Sequence, residues 1–254
     1  MSNSRNVPVV DISDLTFDFQ TQRGDVRALR TVDLTIPQNK TVGVVGESGC
    51  GKSPLINSSL RLLAPNASIT SGSVKFFDTN ILEMTNTELN DLRGQKISMV
   101  FQDPMTALNP VITVGKQMTD ILFRDESSRT KKLEKARDML QMVGIPDAIE
   151  RLDDYPHQFS GGMRQRVLIA IAIACEPDIL IADEPTTALD VTTQIEVLAA
   201  IKEAVHARGS AAIYITHDLA VVAQVADRIM VLRYGDLVEE GAVSYTHLTL
   251  PTIL

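Results

Sequence analysis

The chain has 254 residues, 44% of them apolar and 22% charged, with a formal net charge of −8. This is a globular composition with apolar residues enough for a sizeable core, and its acidity argues against duplex nucleic acid as the main ligand. Two cysteines, Cys50 and Cys175, are too few for a disulfide framework and suit a reducing compartment.

The N-terminus, MSNSRNVPVV, lacks the long apolar core of a signal peptide. The segment TVGVVGESGCGKSPLINSSLRLL reads as a buried strand, a glycine-rich turn and a helix. Within it, Gly46–Ser53 matches G-x-x-x-x-G-K-[ST] in the strand–helix context that pattern needs. Gly46, Gly49 and Gly51 let the backbone wrap phosphates, and the successive N–H groups through Glu47, Ser48 and Cys50 point inward at the helix start. Lys52 is expected to reach the β- and γ-phosphates, and the Ser53 hydroxyl to coordinate Mg²⁺. Pro54 occupies the first helical turn, where proline is tolerated but offers no N–H. The loss of one charge-assisted bond there, roughly 1.5–3 kcal/mol at most, predicts weakened but not abolished nucleotide binding.

A second strand-like run, ISMVFQ, ends at Gln102. Beyond it the pattern turns helical: Val114, Met118, Ile121 and Leu122 fit one face, and Leu133, Ala136, Leu140 and Val143 another. With no strand evident, residues of about 103–160 read as a small helical insert. FSGGMRQR (Phe159–Arg166) follows, with a serine able to cap, two glycines, then helix-forming and basic residues. It is either a helix start built to hold an anion or a plain capped helix. In VLIAIAIAC (Val167–Cys175) the isoleucines alternate like a strand, but the alanines and the following Glu-Pro favour a buried helix. It falls short of the roughly 20 residues that span a bilayer, so any spanning falls to another subunit.

DILIADEP places Asp183 at the end of an apolar strand, where a carboxylate can hold Mg²⁺ through water, and Glu184 next to it, placed to orient or deprotonate an attacking water. Adjacent acids at a strand end can also be merely solvated; the upstream phosphate loop favours the functional reading. AAIYITH ends at His217, and RIMVLRYG is the last clear strand. Strands separated by helices predict a largely parallel sheet, with Gln102 and His217 converging outside the carboxyl ends of its strands. His217 by itself is as readily structural as catalytic.

The end of the chain, VSYTHLTLPTIL (Val243–Leu254), changes character abruptly after LVEEG. Read back into DNA, it resembles the adaptor ligated by a transposase-based sequencing method. The expectation is a non-native tail over 243–254, with the native continuation beyond Gly241, and any cysteine cluster there, missing.

GESGCGKS, Gln102, FSGGMRQR, ILIADE, Ala188-Leu189-Asp190 and His217, in this order and spacing across about residues 10–241, resemble the ATP-binding-cassette ATPases. FSGGM stands where that family usually has LSGGQ. FQDPMTALNP, YPHQFSGGMRQR and ADEPTTALDVTTQ resemble more narrowly the ATP-binding subunits of bacterial oligopeptide and dipeptide importers, a subfamily shared with nickel importers. The resemblance implies an α/β P-loop NTPase (RecA-like) core with an N-terminal antiparallel β subdomain and a helical insert, one ATPase domain over 7–241. It implies two cassettes pairing head to tail, as a homo- or heterodimer. Ser160, Gly161 and Gly162 would then cover ATP held by the partner's phosphate loop, with Asp190 contacting the partner. Gln102 would sense the γ-phosphate and share Mg²⁺ with Ser53 and Asp183, while His217 would hold the γ-phosphate and the attacking water. Phe19 of LTFDF is the choice for stacking on adenine, with Phe17 as the alternative and a core role open to either.

The implied partners are transmembrane permease subunits and, indirectly, a solute-binding protein, with no nucleic acid. The implied place is the cytoplasmic face of the inner membrane, as a peripheral subunit. An ATPase of a non-transport complex, such as one for phosphonate degradation, stays open as the alternative. A small-molecule kinase would leave FSGGMRQR and the Asp190 segment unexplained.

Overall fold

The computed structural model describes residues 7–102, 104–186 and 189–243. The expected tail, apart from Val243, and Ala188 lie outside the described residues. The chain divides into two compact units, one of residues 1–90 with 211–254 and one of residues 91–210.

The first unit opens with two long strands, β1 (Val10–Thr21) and β2 (Gly24–Ile36), paired antiparallel through the turn at Gln22 and Arg23. Strand β3 (Thr41–Val45) is buried throughout and runs into helix α1 (Lys52–Ser59). Strands β4 (Ala67–Phe76) and β5 (Thr79–Asn80) complete an antiparallel sheet of order β2-β1-β4-β5. This is the N-terminal antiparallel subdomain that the resemblance implies. A 3-10 turn (Ile81–Glu83) and helix α2 (Asn86–Leu92) lead away from it.

The second unit contains strand β6 (Ile97–Val100), then helices α3 (Pro104–Ala107), α4 (Val114–Asp120), α5 (Arg129–Met142) and α6 (Ala148–Arg151). Thr113 and Ser128 cap α4 and α5, each accepting a backbone N–H on its side-chain oxygen. Helix α7 (Gly161–Ile173) settles the ambiguous run as helix. Val167, Leu168, Ile169, Ala170, Ala172 and Ile173 are all buried, so the second half of α7 is apolar nearly all round and shows no polar face to give its period away. It packs against α3, α4 and α5, and against helix α8 (Val191–Arg208), which follows strand β7 (Ile179–Asp183). These contacts make the compact unit wider than the insert expected over 103–160. Strands β6 and β7 pair in parallel, with Val100 opposite Ala182.

The chain returns to the first unit with β8 (Ala211–Thr216), α9 (Leu219–Val225), β9 (Arg228–Arg233) and β10 (Asp236–Ala242). There β3 lies between β8 and β9, parallel to both, and β10 joins the outer edge of β9 antiparallel. Helix α9 covers β3 closely, because Gly43 leaves room that a Cβ would take from Val222.

Candidate nucleotide-binding site

In the first unit the phosphate loop leaves β3 at Val45, opposite Thr216 of β8. The parallel register therefore delivers Gly46 and His217 to the same carboxyl edge. Gly46 abuts the Leu232 carbonyl, and a Cβ there would lie 2.5 Å from Cys50 Sγ. Gly51 caps α1 with φ +111°, and a Cβ there would lie 2.7 Å from the Ala28 carbonyl. Gly235 fixes the loop from the far side, donating its N–H to the Cys50 carbonyl at 2.9 Å. Lys52 is 7% exposed and donates Nζ to the carbonyls of Gly46 (2.6 Å) and Glu47 (2.9 Å). A compact ammonium charge thus sits inside the curl of the loop, which fits a polyphosphate.

Glu47, Ser48 and Gly49 form the exposed crest of the loop, and Ser53 is exposed on the first turn of α1. Pro54 is the third residue of α1, as expected, and leaves that turn one N–H short. His217 lies exposed between the end of β8 and Asp218, whose carboxylate caps α9 by accepting the N–H groups of Ala220 and Val221.

Phe17 and Phe19 touch edge to face, with ring centroids 5.1 Å apart. Phe17 is buried at 1% exposure, whereas Phe19 is half-buried and stands opposite Val26, itself 54% exposed. Of the two rings, Phe19 is the more exposed. Beside it Arg27 grips Asp18 with Nε at 3.0 Å and Nη2 at 3.2 Å, a pair that nothing in the sequence singled out. The hydrogen bond from Arg27 holds the Asp18 carboxyl below its ordinary range.

In the second unit the parallel pairing of β6 and β7 carries Gln102 and Glu184 out at matched positions. Gln102 Nε2 donates to Glu184 Oε2 at 3.4 Å. Strand β6 ends at Val100, so Gln102 lies in the loop after it and not at the strand terminus expected from the sequence. Asp183 is the last residue of β7, half-buried, and Glu184 follows with φ +44°. A non-glycine residue in the left-handed region directly after a strand turns the carboxylate away from the β alternation. Ser53, Gln102 and Asp183 offer only hard oxygen donors, the type Mg²⁺ prefers.

Ser160 caps α7, its Oγ accepting from Met163 N–H at 3.3 Å. Gly162 is pressed against α8 so closely that a Cβ would fall on the Thr193 Cγ2 methyl, while a Cβ on Gly161 would meet no other element within 4 Å among the described residues. The basic residues that helped suggest an anion site donate to backbone carbonyls. Arg164 Nε donates to the Pro156 carbonyl at 2.7 Å, and Arg166 donates to the Gly144 carbonyl at 2.8 Å and pairs with Glu196. What α7 offers an anion is its exposed N-terminal amides. Asp190 caps α8, accepting from Thr193 N–H at 3.0 Å and Thr193 Oγ1 at 2.7 Å. Those bonds, the backbone one first, lower its pKa. Thr193 escaped sequence reasoning, although its place three residues after Asp190 is the spacing of a cap partner.

The ABC transporter domain family matches residues 29–187. The chain belongs to the ABC transporter family. A dipeptide transport ATP-binding protein, DppD of Bacillus subtilis (strain 168), is 49% identical over 235 residues, 92% of this chain and 70% of the relative. The oligopeptide transport ATP-binding protein OppD of Salmonella typhimurium is 45% identical over 234 residues, again 92% of this chain and 70% of that one. Among solved structures, the ATP-binding cassette MJ0796, described as a dimer in a post-hydrolysis state bound to ADP and Pi, is 29% identical with a TM-score of 0.81. That match covers 92% of this chain and 98% of the cassette. The fold is accordingly the P-loop NTPase cassette of the ABC ATPases.

Proposed function

We propose that this ABC ATPase drives an importer for peptides or related small solutes, as one of two cassettes that share their ATP sites. Each ATP would lie between the phosphate loop of one cassette and the capped start of α7 in the other. The observation that carries the shared site is Gly161. Its backbone is helical and a Cβ there would meet no other element within 4 Å among the described residues, so neither conformation nor packing seen there calls for glycine. An external group approaching the amides closely would account for it.

In this reading Gly46–Ser53 holds the triphosphate, and Lys52 exchanges its two carbonyl partners for phosphate oxygens. Ser53, Gln102 and Asp183 would hold Mg²⁺, which when bound neutralises charge on the β- and γ-phosphates. Glu184 would orient or deprotonate the attacking water, and its bond to Gln102 ties that base to a residue placed to sense the γ-phosphate. His217 would hold the γ-phosphate and the water, and Phe19 would stack on adenine. ATP binding closes the pair and hydrolysis reopens it, driven by the higher affinity of ATP for the closed state.

Among the described residues no helix is long and apolar enough to cross a membrane. The reading therefore places the subunit peripherally on the cytoplasmic face, with permease subunits spanning the bilayer and a solute-binding protein delivering solute to them. The second cassette is another copy or a paralogue, and no nucleic acid is required. The dipeptide and oligopeptide transport relatives favour import over a phosphonate-degrading complex. Affinity purification of the tagged chain from membranes tests this: recovery of a hydrophobic permease supports it, and recovery of a soluble enzyme complex alone refutes it.

A further inference from the structure

We infer that Thr193 is a positioning residue that locks Asp190 to the signature helix α7, so that the Ser160 cap and the Asp190 carboxylate meet a partner cassette as one rigid element. The inference rests on the shared-site reading above. Its basis is that Thr193 is engaged on both sides. The hydroxyl donates to Asp190 Oδ2 at 2.7 Å, and the Cγ2 methyl fills the space that Gly162 leaves open.

Capping alone does not explain the residue. The third helical position supplies a backbone N–H whatever its side chain, and Asp190 Oδ1 already takes it at 3.0 Å. The hydroxyl adds a bond to the second carboxylate oxygen, which a cap does not need but a fixed orientation does. Of the common residues only threonine offers that hydroxyl together with a methyl to seat against Gly162. One turn further along α7, Arg166 repeats the connection. Its Nη2 lies 3.4 Å from Glu196 Oε2, and its Nη1 donates to the Gly144 carbonyl at 2.8 Å. Gly162 and Arg166 are four residues apart on α7, and Thr193 and Glu196 are three apart on α8. Two successive turns of each helix are thereby held in register. The lowered pKa of Asp190 agrees with a carboxylate kept charged and aimed by these bonds.

The test uses the full chain carrying Glu184→Gln, with its partner cassette if one co-purifies, and measures ATP-dependent association by sedimentation. Thr193→Val keeps the branched shape and removes the hydroxyl; it is expected to weaken association about tenfold, the scale of one charge-assisted hydrogen bond. Thr193→Ser restores the hydroxyl and is expected to remain within about threefold of the parent. Nucleotide affinity of the separated chain is expected to be unchanged in both. Parental association by Thr193→Val overturns the inference, as does equal loss in both variants. If the Glu184→Gln parent itself fails to associate with ATP, the shared-site reading falls. The Asp190 carboxyl, followed by carbon NMR in the monomer, then decides the coupling. A rise in its pKa with valine but not with serine supports the lock, and no change with valine overturns it.

Discussion

The chain has two glycine-rich helix starts, and they use their glycines differently. In the phosphate loop Gly46 and Gly51 are confined by their own fold, against the Leu232 and Ala28 carbonyls, and Lys52 brings a cation into the curl. At the head of α7 Gly162 is confined by Thr193, whereas a Cβ on Gly161 would meet no other element among the described residues, and both nearby arginines donate to backbone carbonyls. The first cradle carries its own cation. The second offers exposed N-terminal amides, which in the shared-site reading would meet a nucleotide held by another loop.

The sharpest way to separate the two cradles is to stop the chemistry and keep both. Glu184→Gln is expected to lower ATP hydrolysis about 10³-fold while leaving ATP binding intact, checked by phosphate release and by equilibrium binding. Parental turnover would remove Glu184 from the account.

The two glycines of α7 should then part company. Gly162→Ala drives a methyl into Thr193 and is expected to cost about 1–3 kcal/mol of stability in denaturant titration. Gly161→Ala meets no neighbour among the described residues and adds helix propensity, so stability should hold or rise slightly while hydrolysis by the assembled pair falls. Equal stability losses would mean that both glycines answer to the fold.

In the first cradle, Pro54→Ser returns an amide to the first turn of α1 and is expected to tighten ATP binding by about tenfold. An unchanged dissociation constant would show that this amide plays no part. The smallest effect concerns the neighbouring Asp18–Arg27 pair. Because the folded-state pKa of Asp18 is lowered, its contribution is present above the ordinary carboxylate range and is lost as pH falls through the folded value. Arg27→Met should therefore lower Tm by about one degree at pH 7, a difference that vanishes in acid.

The legible part of the site was the part written locally. The phosphate loop, the Asp183–Glu184 strand end and the capped signature are short motifs whose geometry follows from adjacent residues. The 3.4 Å contact between Gln102 and Glu184 is not local. It depends on which strand pairs with which, and in what register. The choice of Phe19 over Phe17 could not rest on alternation, for a related reason. Register shifts along β1 bury Leu15, Thr16, Phe17 and Asp18 in succession, so simple alternation cannot tell which ring faces out. Alternation at Ile169, Ile171 and Ile173 pointed to a strand, but the alanines between them favoured the buried helix that forms. The Gly162–Thr193 contact was out of reach altogether, since glycine carries no mark of what it lies against.

The most direct test of the shared site is Ser160→Arg in the Glu184→Gln chain, with ATP binding and ATP-dependent association both measured. The account predicts that nucleotide affinity of the separated chain is unchanged while association with the partner cassette is abolished. Loss of nucleotide affinity with the chain alone, or association undisturbed by the arginine, would contradict it.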